Sequence, residues 1–269
     1  MSLVTIILAG GSLLVLALIF SYILCWANHA FHVEVDPRIE AICAVLPGAN
    51  CGGCSCVGCG EYAEAIVNKG MAVNCCAPGG AGVAESIAKI MGVAVDASAP
   101  ARPVVHCGAL ADQRLGKGNY LGEPSCAAAA NMAGVQSCQY GCLGLGDCVR
   151  ACNYDAIKVR GGLATVDYEK CVGCGACVRA CPRNIISMVP FKSDRMYVIT
   201  CSNKESGPAV KAVCQSGCIG CKACTKKSEL CIMEGNLAAI DYEHYGPEKS
   251  AELAAAAEKC PTGSIQIRG

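Results

Sequence analysis

The chain has 269 residues, of which 25 are cysteine, 31 glycine and only 5 % aromatic, and its 22 basic and 22 acidic residues leave no formal net charge. Cysteine at that density leaves three classes: a disulfide-stapled secreted scaffold, a zinc array, or a carrier of iron-sulfur clusters. The charge balance gives a broad nucleic-acid surface no support, and the scarcity of aromatic side chains gives base-stacking platforms none either.

Disulfide scaffolds are short, and an odd cysteine count would leave one thiol over. Zinc sites favour paired Cys-x2-Cys units, often completed by histidine, and none of the four histidines is placed to complete one. Triple runs such as Cys171, Cys174 and Cys177 are what a cubane cluster takes. With so few aromatics a conventional core is thin for this length, so each small module is expected to be organised around metal.

In chain order, the first element is an apolar run from Ser2 to Trp26, "SLVTIILAGGSLLVLALIFSYILCW", and the first charged residue is Glu34. About 20 residues of helix cross roughly 30 Å of hydrocarbon, so residues 1–30 read as a single-pass transmembrane anchor. A signal peptide would show a basic segment after Met1 and a small-x-small cleavage site, and a buried helix would be apolar on one stripe only. The flank, with Glu34, Asp36, Arg38 and Glu40, has mixed charge and gives the positive-inside rule little to count. Unpaired thiolate ligands belong in a reducing compartment, which places everything after about Phe31 in the cytoplasm. Cys25 and Cys43 read as small buried side chains.

Residues 31–95 are expected to form a small iron-sulfur domain. Cys51, Cys54 and Cys59 stand at x2 and x4 spacing in glycine-rich chain that can wrap closely round a cluster. "GEYAEAIVNKG" reads as a short helix with Tyr62, Ala65 and Ile66 on one face and Gly70 as its stop. It returns the chain to Cys75 and Cys76, one of which supplies the fourth ligand. Cys56 offers a different choice of thiol, and a structural zinc site is the alternative here. "CAPGGAG" reads as a turn without the lysine and hydroxyl of a phosphate loop.

Residues 96–135 read as a connecting segment with Cys107 and Cys126, and residues 136–190 as a double-cluster ferredoxin-like domain. Cys171, Cys174, Cys177 and Cys181, followed by Pro182, form the bacterial ferredoxin run, in which the fourth cysteine ligates the other cluster. On that wiring Cys152 joins Cys171, Cys174 and Cys177, while Cys181 completes a second cubane with Cys138, Cys142 and Cys148. Only the interval from Cys148 to Cys152 matches the ideal run in this first half, and "LGLGD" reads as a looped insertion between ligands. Between the halves, "AIKVRGGLATVD" reads as a hairpin about Gly161 and Gly162.

Residues 191–269 read as a partial second module. Cys218, Cys221 and Cys224 keep x2 spacing, "LAAIDYEHY" echoes "LATVDYEK", and Cys260-Pro261 matches Cys181-Pro182. Where the complete module has "CVGCGAC", this copy has a cysteine-free stretch whose "AELAAAAEK" reads as a helix. It holds one cubane, on Cys218, Cys221, Cys224 and the remote Cys260, with a local set ending at Cys231 as the alternative. Cys107, Cys126, Cys201 and Cys214 flank the complete module in pairs and are expected to converge on a further cluster, scattered buried thiols being the other reading. His106 and His244 read as structural or surface residues. No nucleotide fingerprint, nucleophile triad or haem ligation pattern is found, so the expected work is electron relay.

The chain resembles the B subunit of the Rnf complex, the ion-translocating ferredoxin:NAD oxidoreductase of bacterial membranes. The resemblance is carried by the uncharged N-terminal helix, "LPGANCGGCSCVGCGEYAEAI", "NCCAPGG", "GCLGLGDCVRAC" and "CVGCGACVRACP", and covers nearly the whole length. It implies an α+β chain with an N-terminal transmembrane helix, a small iron-sulfur domain and ferredoxin-like modules. It also implies a first cluster on Cys51, Cys54, Cys59 and Cys76, with no role for Cys56 or Cys75; the ligand sets read from the cysteines themselves amount to three to five 4Fe-4S clusters in all. The implied setting is the cytoplasmic membrane, with soluble ferredoxin as electron donor and other membrane subunits of the complex as acceptors; NAD is reduced on a different, flavin-bearing subunit. Lys222, Lys226 and Lys227 would steer an acidic ferredoxin, or form an ordinary solvated patch. The alternatives are a relay subunit of another membrane oxidoreductase, such as a hydrogenase or quinone-linked reductase, and a zinc-stabilised tether with no redox role.

Overall fold

A computed structural model describes residues 3–30, 36–94, 99–116, 118 and 120–269. The start of the expected small iron-sulfur domain, residues 31–35 with Glu34, and the domain boundary expected at 95–96 lie outside the described residues.

Helix α1 (Leu3–Ala30) contains the stretch Gly10–Ala30, with mean hydropathy 2.0 and no part of it buried. Among the described residues it is the one helix long and apolar enough to cross a membrane. Its apolar side chains are exposed on every face, so the physical partner it calls for is hydrocarbon and not the rest of the chain. Cys25 is exposed on this helix and Cys43 on the next, contrary to the expectation of buried thiols, because neither is covered by another element.

Three helices build the first small domain: α2 (Pro37–Val45), α3 (Cys59–Lys69) and α4 (Gly80–Met91). Pro37 opens α2 behind Asp36, whose carboxylate accepts the Arg38 amide at 2.8 Å. Gly70 ends α3 in the left-handed region at φ 66°, where the sequence placed its stop. Ile42, Tyr62, Ile66 and Ile87, one to two from each helix, form the small core between them.

The body that follows is two copies of one plan. In the first, strand β1 (Ala101–Val105) leads to the short helices α5 (Cys126–Ala130) and α6 (Asp147–Arg150), the hairpin β2 (Ile157–Arg160) and β3 (Leu163–Val166), helix α7 (Ala176–Arg179) and strand β4 (Ile186–Pro190). The outer strands pair antiparallel from Ala101 opposite Pro190 to Val105 opposite Ile186, and the hairpin turns on Gly161 and Gly162, both at positive φ. The segment 96–135, expected only to connect, therefore supplies the first strand of the module.

The second copy repeats this with β5 (Met196–Ile199), α8 (Gly207–Val213), the hairpin β6 (Cys231–Glu234) and β7 (Leu237–Ile240), α9 (Ser250–Glu258) and β8 (Ile265–Arg268), which pairs antiparallel with β5. Helix α9 lies where the first copy has its second cysteine run. It drives Leu253 and Ala256, both fully buried, into a core with Leu230, Leu237 and Ile240. One copy thus fills that space with apolar side chains and the other rings it with thiols.

Candidate iron-sulfur centres

Twenty of the cysteines line five cavities, four to each, with open volumes of 310 to 370 Å³. Four thiols round each space suit a multi-atom, thiolate-bound group. Among the described residues no three Cys, His, Asp or Glu side chains converge as ligands of a single ion would. The donor set is the all-thiolate set that iron-sulfur clusters take.

The first cavity is lined by Cys51, Cys54, Cys59 and Cys76. Its loop winds through Asn50, Gly52 and Ser55, all at positive φ, and Asn50 Oδ1 accepts the Cys59 amide at 2.8 Å. Gly58 lets that oxygen close in, since a Cβ there would stand 2.9 Å from it. The choice between Cys75 and Cys76 is made by Tyr62. Its hydroxyl donates to Ala72 O at 2.8 Å and accepts the Cys75 amide at 3.1 Å, which pins the returning chain so that Cys76, and not Cys75, lines the cavity. Cys56 turns instead toward Met71, sulfur to sulfur at 3.9 Å.

Two cavities belong to the first ferredoxin-like module. Cys152, Cys171, Cys174 and Cys177 line one, with Tyr154 and Ile157. Cys126, Cys142, Cys148 and Cys181 line the other. Cys126 stands where the sequence placed Cys138, because the carboxylate of Asp147, at the start of α6, accepts the Cys126 amide at 2.8 Å and the Ala127 amide at 2.9 Å. Burial acts to raise the Asp147 carboxyl pKa, but those two amides and Arg150 outweigh it and hold it below the usual range.

Cys138 lines a fourth cavity instead, with Cys107, Cys201 and Cys214. Cys107 closely follows β1 and Cys201 closely follows β5, so the repeat of the outer strand brings two thiols to the seam between modules. His106 holds that seam: its ring nitrogens bond Ile199 O at 2.7 Å and Ser187 Oγ at 2.6 Å, and burial keeps its pKa low. It is structural, as read. The Asn203 amide donates to Cys138 Sγ at 3.7 Å. The expected set of Cys107, Cys126, Cys201 and Cys214 is therefore brought together except for Cys126, which has exchanged places with Cys138.

Cys218, Cys221, Cys224 and Cys260 line the fifth cavity. Cys231 stands behind Cys224, whose pKa is lowered because the Cys231 thiol donates to it; the Cys231 pKa is pushed up by the same contact. His244 is exposed and pairs with Asp241. Cys25, Cys43, Cys56, Cys75 and Cys231 are the thiols outside the five rings.

The cavities stand in a row. Between the first and second, Arg179 donates to Cys51 O at 3.0 Å and to Cys174 O at 3.3 Å, and a Cβ at Gly53 would lie 3.2 Å from Cys174 O. The second and third share α6 and α7, whose "CVRAC" phrases give Cys148 to one and Cys152 to the other, and likewise Cys181 and Cys177. Between third and fourth, the Cys142 amide donates to Cys107 Sγ at 3.5 Å. Between fourth and fifth, the Cys218 amide bonds Cys201.

An apolar helix long enough to cross a membrane, followed by thiol-ringed cavities, defines the class of membrane-bound iron-sulfur electron carriers. A family model described as a putative Fe-S cluster matches residues 46–78, and one described as a 4Fe-4S binding domain matches residues 164–187. The B subunit of the proton-translocating ferredoxin:NAD(+) oxidoreductase complex of Clostridium ljungdahlii is 36 % identical over 267 residues, covering 97 % of this chain and 92 % of that protein. The B subunit of the Na(+)-translocating complex of Acetobacterium woodii is 37 % identical over 264 residues, covering 97 % and 77 %, and that of the ion-translocating oxidoreductase complex of Methanosarcina acetivorans is 36 % identical, covering 90 % of each. The chain belongs to the family of B subunits of ion-translocating ferredoxin:NAD oxidoreductases, as an iron-sulfur electron-transfer subunit.

Proposed function

We propose that the chain carries five 4Fe-4S clusters and conducts electrons from reduced ferredoxin to redox subunits in the membrane. The ligand sets are Cys51, Cys54, Cys59 and Cys76; Cys152, Cys171, Cys174 and Cys177; Cys126, Cys142, Cys148 and Cys181; Cys107, Cys138, Cys201 and Cys214; and Cys218, Cys221, Cys224 and Cys260. The observation that carries this reading is the row of five cavities, each neighbour joined to the next by a hydrogen bond or a shared helix. Bound clusters supply one-electron storage at each station; the protein spaces them and keeps water away. The body faces the cytoplasm of a cytoplasmic membrane, where its thiols stay reduced.

Entry is at the fifth centre. Cys221 is exposed there, the exposed Lys222 lines the same cavity, and the exposed Lys226 and Lys227 follow closely in the chain, a charge arrangement suited to an acidic carrier. Exit is at the first centre, on the domain that follows the anchor. The test is stopped-flow reduction of the full, anaerobically purified chain by reduced ferredoxin. Reversing the three lysines to glutamate should slow the bimolecular step at least tenfold at low salt, with the difference shrinking as salt screens it. A chain that ferredoxin cannot reduce, but a quinol can, would favour the relay subunit of a quinone-linked enzyme.

A further inference from the structure

Arg114 is 5 % exposed, yet among the described residues its guanidinium is in no ion pair with a carboxylate. It donates to Ala109 O at 2.7 and 3.1 Å, to Cys142 O at 2.6 Å and to Gly162 O at 3.1 Å. Among the described residues the ion pairs all involve other cations. A buried cation without a counterion is costly, and carbonyl dipoles offset only part of that cost. The counterion is accounted for by what Arg114 lines: the fourth cavity, ringed by Cys107, Cys138, Cys201 and Cys214, whose wall contains no Asp or Glu.

The backbone fixes the guanidinium there independently of the side chain's own bonds. Arg114 bridges Cys214 in a short antiparallel pairing, with the Leu115 amide on Val213 O at 3.0 Å and the Gln215 amide on Gln113 O at 3.0 Å. The other cavities differ. The first and second have no charged residue in their lining, the third has Asp147, which pairs with Arg150, and the partly buried Arg183, which donates to Cys138 O and Gly141 O, and the fifth has the solvent-exposed Lys222. A buried cation in a lining without any carboxylate is specific to the fourth, and Arg183 is only partly buried and shares its lining with Asp147.

We infer that Arg114 sets the potential of the centre held by Cys107, Cys138, Cys201 and Cys214, raising it by stabilising the reduced cluster. The inference rests on the proposed cluster in that cavity. One-electron reduction adds one negative charge to a group that four thiolates already make anionic. Burial alone disfavours that added charge, whereas a cation in the same low-dielectric wall favours it and acts without reorganising. The effect lies in the charge and not in the guanidinium's shape, so a lysine should preserve it where a neutral side chain does not.

The experiment is an EPR-monitored potentiometric titration of the full chain in detergent, with iron counted in every sample. Cys201→Ser first identifies the centre, as the signal it alters; if that variant leaves iron and every midpoint unchanged, the cluster assignment of this cavity fails. In Arg114→Gln, iron should stay at the wild-type count while this centre's reduction equilibrium shifts at least tenfold toward the oxidised form, about 59 mV for one electron, with a smaller shift at the neighbouring centre of Cys142. Arg114→Lys should hold the midpoint near wild type. An unchanged midpoint in fully loaded Arg114→Gln, or an equal fall in Arg114→Lys, would overturn the inference. Should Arg114→Gln lose iron, Gln136→Glu leaves Arg114 and its bonds in place and sets a carboxylate on the same buried wall. A lowered midpoint there supports the role of charge, and an unchanged one contradicts it.

Discussion

Burial acts on the ligand thiols before any metal arrives. It pushes the Cys148 pKa up to about 12 and those of Cys177 and Cys201 to about 11, against about 8.5 for a free thiol. The apo-protein therefore holds protons that its unfolded chain releases. Stability from these groups is full below about pH 8.5 and is lost as pH rises toward the folded values, since the unfolded state binds fewer protons there. Urea midpoints of the apo-protein should fall between about pH 8 and pH 10, whereas the loaded protein, whose ligands are already thiolates, should not show that slope. A flat apo profile would mean that the apo thiols are hydrated. At this scale the sequence carried most of the grouping of thiols round the cavities, because x2 and x3 spacings are local rules. The exchange of Cys126 and Cys138 was hidden because it is decided by the Asp147 carboxylate, 21 residues from Cys126, and by the Asn203 amide, 65 residues from Cys138. The only trace was the uneven spacing about Cys142.

Elements show where metal and apolar packing replace one another. The helix over residues 59–69, the hairpin about Gly161 and the helix near residue 250 were legible from periodicity, glycine and alanine. Strand β1 and helix α4 were not, because five residues reading "ARPVV" and a helix that opens on glycines carry little local signal. Helix α9 fills with side chains the space the first module fills with a cysteine-ringed cavity. Leu253→Ala should therefore cost about 2 to 5 kcal/mol, as emptying a packed core does, while leaving the iron content unchanged. Anaerobic urea unfolding with iron counted at the start checks both halves. Loss of iron together with stability would show that α9 supports the fifth centre and does not merely stand in for a lost one.

The whole molecule is a series of small modules in which apolar clusters and thiol-ringed cavities lie side by side. Contacts between modules include some at the cavities, Arg179 on Cys51 and His106 on β5, and an apolar seam where Val104 and Val189 of the first copy pack with Leu237 and Leu253 of the second. Repeats in the sequence announced the modules but not this order, since each junction joins residues far apart in the chain. The measurement that tests the five-centre relay most directly is the count of iron, acid-labile sulfide and zinc per chain after anaerobic purification. Five clusters give about twenty irons and about twenty sulfides with no zinc. About sixteen irons or fewer, or zinc in place of iron, would contradict it.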